Sequence, residues 1–478
     1  MGNERSEWTR RRWLLGTGGA LAAAWLPARA AMAAEPPGPV ITKLSQYMSE
    51  AKDRALPENV IEKAKHHILD TFAAMISGSE LAPGGAAIRF ADAYGGKPIA
   101  TVAASKVVCG PIEAAMANGV LAHADETDDS WPNGWHPGCN VVPAALAAGE
   151  QFGISGTQFL RAVTLGYDVG SRFLVALRPG VFQTHKSTHS IGGNFGAAAA
   201  AGCAAGLNPQ QMRWLIDYAT QQSSGIAAWD RDSEHIEKGF VFGGMPARNG
   251  VTAALLVRSG WTGVDDVLSG DDNFLMANEP HGEAGALTDK LGERYEIVVT
   301  SIKKWTVGSP IQGPLDALEI MLKKRPFAAD DVKEVVVRMA PGSVVDNRDM
   351  PDICIQHILA VMLIDKNVTF RSAHDRARMQ DPLVLRHRAK VRLDPGAAGS
   401  RVPLVVVTLT DGTRLSEDVA AVLGTVNNRM TREQVIAKCR DLITPVLGPQ
   451  ASDALINAAM NIENLKNVRE LRSLLQRA

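Results

Sequence analysis

The chain has 478 residues, which is enough for two or three domains and a large buried core. Its 50 lysines and arginines nearly cancel its 51 aspartates and glutamates, so the bulk charge indicates neither a nucleic-acid partner nor an acidic tail. Hydrophobic residues make up 46% of the chain and aromatic residues only 5%, while glycine and alanine are abundant. Small side chains at this level favour closely packed helices over a β-sandwich.

The first 33 residues have the pattern of an export signal. Arg10 and Arg11 precede an apolar, alanine-rich stretch at 14–26, and residues 31–33 offer a small-x-small cleavage site. We interpret residues 1–33 as a twin-arginine signal peptide and expect a periplasmic mature protein. An ordinary secretory signal and a basic N-terminal tail are the alternatives. No later stretch reaches the roughly 18 to 20 continuous apolar residues of a membrane span, so we expect no membrane partner after the signal is removed.

Helical periodicity dominates from about residue 44 to residue 289. Segments such as Ile61–Ile76 and Pro143–Phe152 have apolar residues at helical spacing between glycines and prolines. Asn208 followed by Pro209 has the pattern of an N-cap with proline at the first helical position. The sequence therefore predicts a large helical region.

Strand-like segments are concentrated between residues 295 and 419. The last two are joined around Asp411 and Gly412, which is a strong signal for a hairpin. The predicted strands are Tyr295–Ile302, Lys333–Met339, Ala389–Leu393, Val402–Leu409 and Arg414–Val419. Beyond Thr431 the helical pattern returns, in Ala451–Ala459 and Val468–Gln476.

This order of elements predicts a mainly α protein with a smaller inserted domain. We expect a helical domain over 40–295, an inserted α/β domain over 296–430, and C-terminal helices at 431–478 that rejoin the helical domain. The five cysteines are scattered and form no CxxC pair, so they are expected to be buried thiols rather than a disulfide framework.

The densest group of chemically active side chains is HADETDDSWPNGWHPGC, residues 123–139. Residues 132–134 would break a helix, so the second half is expected to be a loop. A loop that brings Asp125 and its neighbouring acids close to His136 suits proton transfer or an oxygen-rich metal site. A solvated loop is the alternative, but the flanking tryptophans and the apolar helix at 141–148 indicate partial burial, and buried acids need partners. No HExxH, HxH or CxxC spacing accompanies the loop, so no metal site is predicted.

Three further segments carry candidate residues. THKSTHSIGGNFGAAAAAGCAAGL, residues 184–207, has two histidines before a glycine-led helix, which suits either an anion seat or close helix packing. In SEHIEKGFVFGGMPARNGVTAALL, residues 233–256, a lysine precedes an apolar stretch. In TSIKKWTVGSPIQGPLDA, residues 300–317, two lysines end a predicted strand. Acids, imidazoles and cations together suit proton abstraction from a polycarboxylate.

In order and spacing these segments resemble the MmgE/PrpD family, which includes 2-methylcitrate dehydratase, cis-aconitate decarboxylase and iminodisuccinate epimerase. The matching segments are AHADETDD…HPG…VPAALAAGE (122–150), GNFGAAAAAGCAAGL (193–207), KGFVFGGMPARNGVTAALLVRSGWTG (238–263) and TSIKKW (300–305). The resemblance covers nearly all of the mature chain. It implies a mostly helical domain, an inserted lid domain, a homodimer, and catalysis without a metal or other cofactor.

The resemblance also assigns roles to individual residues. The residues that match the family's catalytic positions are Asp125, His136, His189, Lys238 and Lys303. We expect the substrate to be bound by Asp129, Ser130, His185, Arg248 and Lys304, with His185 competing with His189 for the catalytic position.

The function predicted on this basis is a cofactor-free lyase or isomerase. It would remove a proton α to a carboxylate of a small di- or tricarboxylate, as in 2-methylcitrate dehydratase. Acid–base chemistry would fall to a pair among Asp125, His136 and His189, while the lysines and Arg248 would hold carboxylates. Dehydration, epimerisation and decarboxylation all stay open.

The sequence departs from the family pattern in three places. The loop 123–136 is one residue longer than in the decarboxylase, Gly308 stands where relatives often place cysteine or histidine, and the charged AWDRDSEH at 228–235 precedes Lys238. These departures favour a carboxylate other than methylcitrate. Gly308 also motivates a first alternative, a non-catalytic periplasmic carboxylate-binding protein. A metal-dependent hydrolase that uses the Asp/His loop is the second.

Replacing Arg10 and Arg11 together with lysine should block export, because the twin-arginine pathway recognises the arginine pair. The double variant should accumulate as a full-length precursor in the cytoplasm, while the unmodified chain loses about 33 residues. Fractionation followed by intact mass measurement distinguishes the two. Undiminished export of the double variant would argue against this route.

Overall fold

The computed structural model describes residues 36–132, 134–177, 185–396 and 404–477. The expected export signal, residues 1–33, lies outside these ranges. The described chain is mostly helical with a small sheet, as expected.

The first part of the chain is almost entirely helical. Its helices are α1 (Pro39–Glu50), α2 (Glu58–Gly78), α3 (Ala82–Tyr94), α4 (Pro111–Ala122), α5 (Gly138–Phe152), α6 (Gly156–Ala176), α7 (Thr188–Ala204), α8 (Pro209–Gln221), α9 (Ile236–Gly239), α10 (Met245–Arg258) and α11 (Phe274–Asn278). Between α3 and α4, strands β1 (Ala100–Thr101) and β2 (Val108–Cys109) form a two-stranded antiparallel ladder.

The second part contains the sheet and the last helices. Its elements are α12 (Ser309–Lys324), β3 (Val332–Arg338), α13 (Ile355–Asp365), α14 (Phe370–His374), α15 (Pro382–Arg388), β4 (Val391–Asp394), β5 (Leu404–Leu409), β6 (Arg414–Asp418), α16 (Arg432–Leu447), α17 (Pro449–Met460) and α18 (Arg472–Leu475). The strand order is β4-β3-β5-β6; β3 pairs with β4 in parallel and the other pairs are antiparallel.

Two local signals in the sequence are confirmed. The side chain of Asn208 accepts a hydrogen bond from the Gln211 amide (2.9 Å), and the Gln211 side chain accepts one from the Asn208 amide (3.0 Å), which makes a capping box at the start of α8. The β5–β6 hairpin turns at Asp411 and Gly412, where Gly412 has φ of +85°, a conformation that glycine adopts at little cost.

Two predicted elements are wrong. No strand forms over Tyr295–Ile302; residues Glu296–Val298 form a 3₁₀ turn because the Glu296 amide donates to Asp168 (2.6 Å) rather than to a neighbouring strand. The alternation of apolar residues there reflects packing on several helices, not a sheet. The predicted helix Val468–Gln476 is divided into a 3₁₀ turn, Val468–Leu471, and the short α18.

The buried apolar side chains form two clusters. The larger cluster takes residues from 41–302 and again from 430–475, so the last helices share a core with the first ones. The smaller cluster takes residues from 305–419, where α12 and α13 pack on the sheet through alternating valines such as Val335 and Val405. Burial of one face of each strand explains the period-two pattern of the sequence.

The described residues include one helix that is long and apolar enough to span a membrane by length and composition, Ile236–Arg258. It consists of α9, a π-helical turn at Phe240–Gly244, and α10. About two thirds of its most apolar window, 67%, is buried inside the protein, where it packs on α4 and α7. A core helix passes the same test of composition.

Glycines allow α4 and the π-helical turn to touch through their backbones. A Cβ atom on Gly119 would lie 2.5 Å from the Gly243 carbonyl oxygen, and one on Gly243 would lie 2.0 Å from the Gly119 carbonyl oxygen. This contact brings the end of α4, where His123 follows, next to the helix that carries Lys238.

The Gly119→Ala variant should lower the free energy of unfolding. Alanine gains about 1 kcal/mol of helix propensity over glycine, but its methyl overlaps backbone that cannot rotate away, which costs about 1–3 kcal/mol or more. The matched control is Gly85→Ala in α3, where the added Cβ meets only the end of the flexible Arg89 side chain at 3.3 Å. Urea denaturation should show a loss for Gly119→Ala and no loss for Gly85→Ala; equal stabilities would contradict the contact.

Candidate active site

The acidic segment that follows α4 is buried. His123, Asp125, Glu126, Asp128 and Asp129 are each at most 5% exposed. The solvated-loop interpretation is therefore wrong. Burial removes several kcal/mol of hydration from each ionised carboxylate, and only partners inside the protein can offset this loss. The partners of each acid therefore define the site.

Glu126 lies between two lysines that come from distant segments. Its carboxylate forms ion pairs with the Nζ atoms of Lys238, on α9, and Lys303 (3.4 Å), and Lys303 also donates to its backbone oxygen (2.8 Å). Burial raises the pKa of Glu126, but the two ammonium groups outweigh burial and hold this pKa well below its usual value. The three groups therefore form a buried, ionised cluster.

Asp128 contacts two imidazoles. The Nδ1 atoms of His123 and His136 both lie 3.1 Å from its carboxylate, and Lys303 Nζ lies 3.8 Å away. Although burial raises the pKa of Asp128, the two imidazoles hold it well below its usual value. An ionised carboxylate only accepts hydrogen bonds, so each imidazole donates from Nδ1 and turns Nε2 away from Asp128.

Asp129 holds the loop against the helical core. It accepts hydrogen bonds from the Tyr167 hydroxyl (2.6 Å) and the Gly138 amide (2.8 Å), and it contacts His67 Nδ1 (2.6 Å). Ser130 follows and pairs through its backbone with Ser301 (2.9 Å in both directions), which places Lys303 beside the loop. The structure thus places Asp129 and Ser130 as the anchor of the loop rather than beside the lysine pair.

Asp125 pairs with a histidine from the second part of the chain. Its carboxylate accepts from Thr127 and lies 2.9 Å from His374 Nε2 on α14, while Asp352 lies 3.9 Å from the same nitrogen. Burial lowers the pKa of His374, but the carboxylates of Asp125 and then Asp352 outweigh burial and raise it to about 9. Burial raises the pKa of Asp352 to about 6.

Phe242 organises the histidines around one ring. The His189 and His123 rings stack on the Phe242 ring, with 3.8 Å and 4.6 Å between ring centres. The centre of the His136 ring lies 5.4 Å from that of His189. Phe242 belongs to the π-helical turn, a feature that is frequent at functional sites. His189 therefore joins the cluster, whereas the side chain of His185 is exposed.

The interpretation of the glycines at 192–196 as a helix start that binds an anion is wrong. Helix α7 already begins at Thr188 with Ser187 as its N-cap, so Gly192, Gly193 and Gly196 lie inside the helix and their amide groups serve its own hydrogen bonds. A Cβ on Gly193 would lie 2.9 Å from Asn140 and Pro246. Close packing, the alternative interpretation, is what these glycines provide.

Two predicted substrate-binding cations lie apart from the Glu126 cluster. Lys304 pairs with Glu319 (2.6 Å) and covers the Trp305 ring at 4.2 Å. Arg248 contacts Asn249 (3.2 Å) and lies 5.7 Å from the Phe240 ring. In the described part of the chain, neither forms a hydrogen bond or ion pair with Glu126, Asp128 or the clustered histidines.

Two sets of three side chains among the described residues are close enough to hold a metal ion. They are His123, Asp128 and Cys139, and His123, Glu126 and His235, with ligand atoms within 4.8 Å of one another. The sequence indicated no metal site because the spacing of these residues matches no characteristic metal-binding pattern, and His235 comes from a distant segment.

The space at the cluster is small. A cavity of about 60 Å³ is lined by residues that include Asp125, His235, Asp352 and His374. Typical ligand pockets have about 300–1,000 Å³. A larger cavity of about 680 Å³ lies elsewhere, lined by Lys304, Trp305 and residues of α16, and its lining includes none of the clustered histidines.

The amino-acid sequence matches a known family over most of the chain. Residues 42–283 match the MmgE/PrpD N-terminal domain, and residues 305–464 match the MmgE/PrpD C-terminal domain. The chain belongs to the MmgE/PrpD family.

Several curated members of the MmgE/PrpD family are similar over most of their length. A cis-aconitate decarboxylase-like protein of Aspergillus oryzae is 24% identical, with 92% of this chain and 98% of the relative aligned. The cis-aconitate decarboxylase of Aspergillus terreus is also 24% identical, over 91% and 96%. The human cis-aconitate decarboxylase is 25% identical, over 88% and 91%.

Sequence reasoning missed four residues of the cluster. Glu126 and His123 lie within the segment that was singled out, but the lysine partners of Glu126 are far away in sequence, and the contact of His123 with Asp128 depends on how the loop folds. His235 has φ of +62° and both ring nitrogens without a hydrogen bond, and His374 comes from α14. A buried, strained histidine is a functional signal, but only the folded chain shows it.

The His374–Asp125 pair predicts a pH dependence of stability. Folded His374 keeps its proton up to about pH 9, whereas unfolded histidine loses it near 6.5. Between these values the folded state binds more protons, so the free energy of unfolding should fall as the pH rises from about 6.5 to about 9. In the His374→Gln variant, the free energy of unfolding should lack this decrease between about pH 6.5 and pH 9. Urea denaturation at several pH values in this range measures it.

The control is His357→Gln in the smaller core. Burial, then Arg388 and Arg378, lower the pKa of His357 to about 4, so this group changes stability only below about pH 6.5. The control should keep the wild-type slope in the alkaline window. A wild-type slope in His374→Gln would contradict the ion pair.

Proposed function

We propose that this MmgE/PrpD protein is a cofactor-free lyase or isomerase that acts on a small di- or tricarboxylate. Its first chemical step would be proton transfer at a carbon α to a carboxylate. The observation that carries the proposal is the buried pair Lys238 and Lys303, which converge on a single carboxylate beside an Asp–His pair. The names of the relatives support a carboxylate as the substrate, and cis-aconitate is the first compound to test.

The Glu126 carboxylate supports a carboxylate as the group that Lys238 and Lys303 bind in a substrate. In this structure it is an internal anion that both ammonium groups contact. A substrate carboxylate would bind the same two cations once the Glu126 side chain rotates away. The same charges would stabilise the negative charge that develops on a substrate carboxylate when the α proton leaves.

His136 is the group best placed to move the proton. Asp128 holds its Nδ1 (3.1 Å), so Nε2 is the nitrogen available to act as base, in the arrangement by which a carboxylate orients a catalytic imidazole. His189, 5.4 Å away between ring centres, would be the second acid–base group. Asp125 would act from the opposite side of the loop, where its charge is balanced by His374.

The site would have to open for the substrate to bind. A cavity of about 60 Å³ does not hold a tricarboxylate. We propose that residues 296–430, which supply every residue of the smaller core, form a lid that moves relative to the helical part. The contacts to break would include those of His374 with Asp125, Lys303 with Glu126, and Arg376 with the Ser233 backbone oxygen (2.8 Å).

The two alternatives differ from this proposal in measurable ways. A carboxylate-binding protein without catalysis was motivated by Gly308, which caps α12 and donates its amide to the Asp352 backbone oxygen (3.0 Å). Such a protein would be stabilised by carboxylates but would not turn them over. A metal-dependent hydrolase would lose its activity on chelation, whereas the proposed lyase would keep it.

We also propose that the mature protein is a periplasmic homodimer. The export signal at residues 1–33 supports the location, and the family resemblance supports the dimer. All five cysteines are buried and free, which agrees with a fold that does not depend on disulfides.

Proton abstraction should be visible in D₂O. The mature chain is incubated with a panel of carboxylates that includes cis-aconitate, and NMR detects deuterium at a carbon next to a carboxylate. His136→Ala should reduce the rate of incorporation by about 10²- to 10⁴-fold, because general acid–base catalysis contributes that much. The control His357→Gln should retain the wild-type rate. Binding of carboxylates without deuterium exchange or turnover would contradict the proposed lyase or isomerase and favour the non-catalytic carboxylate-binding protein.

The lysine pair should control substrate affinity. Lys303→Met keeps the length of the side chain but removes the charge, and a buried charge pair contributes about 2 kcal/mol or more, so KM should rise at least about 30-fold. Lys304→Met should have a smaller effect because this lysine pairs with Glu319 instead. Lys323→Met, at an exposed position, is the control. Circular dichroism confirms folding, and equal KM values for Lys303→Met and Lys323→Met would contradict the role.

A further inference from the structure

We propose that His123, Glu126 and His235 form a binding site for a zinc-class transition metal, and that the ion inhibits the protein by holding the Glu126 side chain in place. The three residues come from the end of α4, the acidic loop and the residue before α9. The inhibitory role rests on the proposed function, whereas the binding site itself does not.

The ligand atoms already converge. One ligand atom from each of the three residues lies within 4.8 Å of the others. Zinc binds histidine nitrogen and carboxylate oxygen at about 2.0–2.2 Å, so ligand atoms around a tetrahedral ion are about 3.4 Å apart. Inward shifts of about one ångström, within the reach of side-chain rotation, would complete the set.

The two histidines have free ring nitrogens in a buried place. His235 is 4% exposed and neither ring nitrogen has a hydrogen bond, and His123 is fully buried with Nε2 unpaired. The centres of the His123 and His235 rings lie 5.2 Å apart. Buried polar atoms are nearly always paired. Each neutral imidazole has one nitrogen with a lone pair, so two such rings with unpaired nitrogens beside a carboxylate indicate a missing partner that accepts one lone pair from each ring.

The surroundings of His123 have the form of a metal ligand's second shell. Its Nδ1 contacts the Asp128 carboxylate (3.1 Å), which fixes the ring and leaves Nε2 as the metal-binding atom. Histidines that bind metals usually donate their other nitrogen to a carboxylate in this way. The alternative set with Cys139 is less suitable, because the Cys139 thiol already donates to the His136 backbone oxygen (3.2 Å).

A cation can reach the site and would be opposed there by lysine. The 60 Å³ cavity touches His235, and a second cavity of about 340 Å³ near it is lined by Asp230, Asp232 and Asp349 with two arginines. Lys238 and Lys303 already neutralise Glu126, so an arriving ion must compete with them. A bound ion would hold the Glu126 side chain in place, so Glu126 could not rotate away from the two lysines. The ion would therefore act against carboxylate binding rather than in support of it.

The test measures binding of zinc alone to the chelator-treated mature chain. Wild-type protein should bind one Zn²⁺ per chain in equilibrium dialysis, and Co²⁺ should give the visible absorption of a low-coordinate nitrogen–oxygen site. In His235→Asn the affinity should fall by about 100-fold, since loss of a direct ligand costs at least as much as loss of a second-shell partner. Asparagine tolerates the positive φ at this position, so the fold should be kept.

The matched control is His357→Asn. This histidine is also buried with both ring nitrogens unpaired, but it lies in the smaller core. The control should bind zinc like the wild type. No zinc bound by wild-type protein, or equal binding by His235→Asn, would overturn the site.

Activity supplies the second readout. Zinc should inhibit wild-type turnover reversibly, with recovery on chelation, whereas the turnover rate of His235→Asn, measured with and without zinc, should not change on zinc addition. Zinc binding without inhibition would overturn the inhibitory role, and so would activity that requires zinc. The absence of any turnover would overturn the proposed function, while the dialysis result would still decide the site.

Discussion

The burial of the acidic run between α4 and α5 is the constraint on which the arrangement of the molecule depends. Four carboxylates in five positions lose their hydration together, and each one must find a cation, an imidazole or a donor inside the protein. Their partners come from nearly every part of the chain, including Tyr167 on α6, Lys238 on α9, Lys303 before α12 and His374 on α14. The helices are therefore held in register by charge as well as by apolar packing.

The division of labour among these acids follows from their partners. Asp129 accepts two strong hydrogen bonds from Tyr167 and Gly138 and fixes the loop to the core. Asp128 orients imidazoles, and Glu126 faces the lysines. Neighbouring residues of one type thus perform different tasks, because alternate positions of a short loop point toward different elements.

The sequence predicted the elements better than the site. Helical periodicity located α2 and α17, and local turn chemistry located the start of α8 and the β5–β6 hairpin, because these signals depend on a few adjacent residues. The apolar alternation at Tyr295–Ile302 misled because it arises from packing on helices. The family resemblance pointed to His136, Lys238 and Lys303, which the structure places against Asp128 or Glu126. The resemblance could not show that Glu126 rather than Asp125 faces the lysines, since that depends on the direction of one turn of backbone. His235 and His374 carry no local pattern at all.

Lys438 connects the last part of the chain directly to the acidic loop through a hydrogen bond. This buried residue of α16 donates to the Thr127 backbone oxygen (3.0 Å) and pairs with Asp70 on α2 (2.6 Å). During synthesis the acidic loop leaves the ribosome more than 300 residues before Lys438 does. The contacts of Lys438 with Thr127 and Asp70 can therefore form only when translation is nearly finished, after all the other partners of the acidic loop have been synthesised. The order of synthesis thus makes the attachment of α16 to the loop one of the last contacts to form.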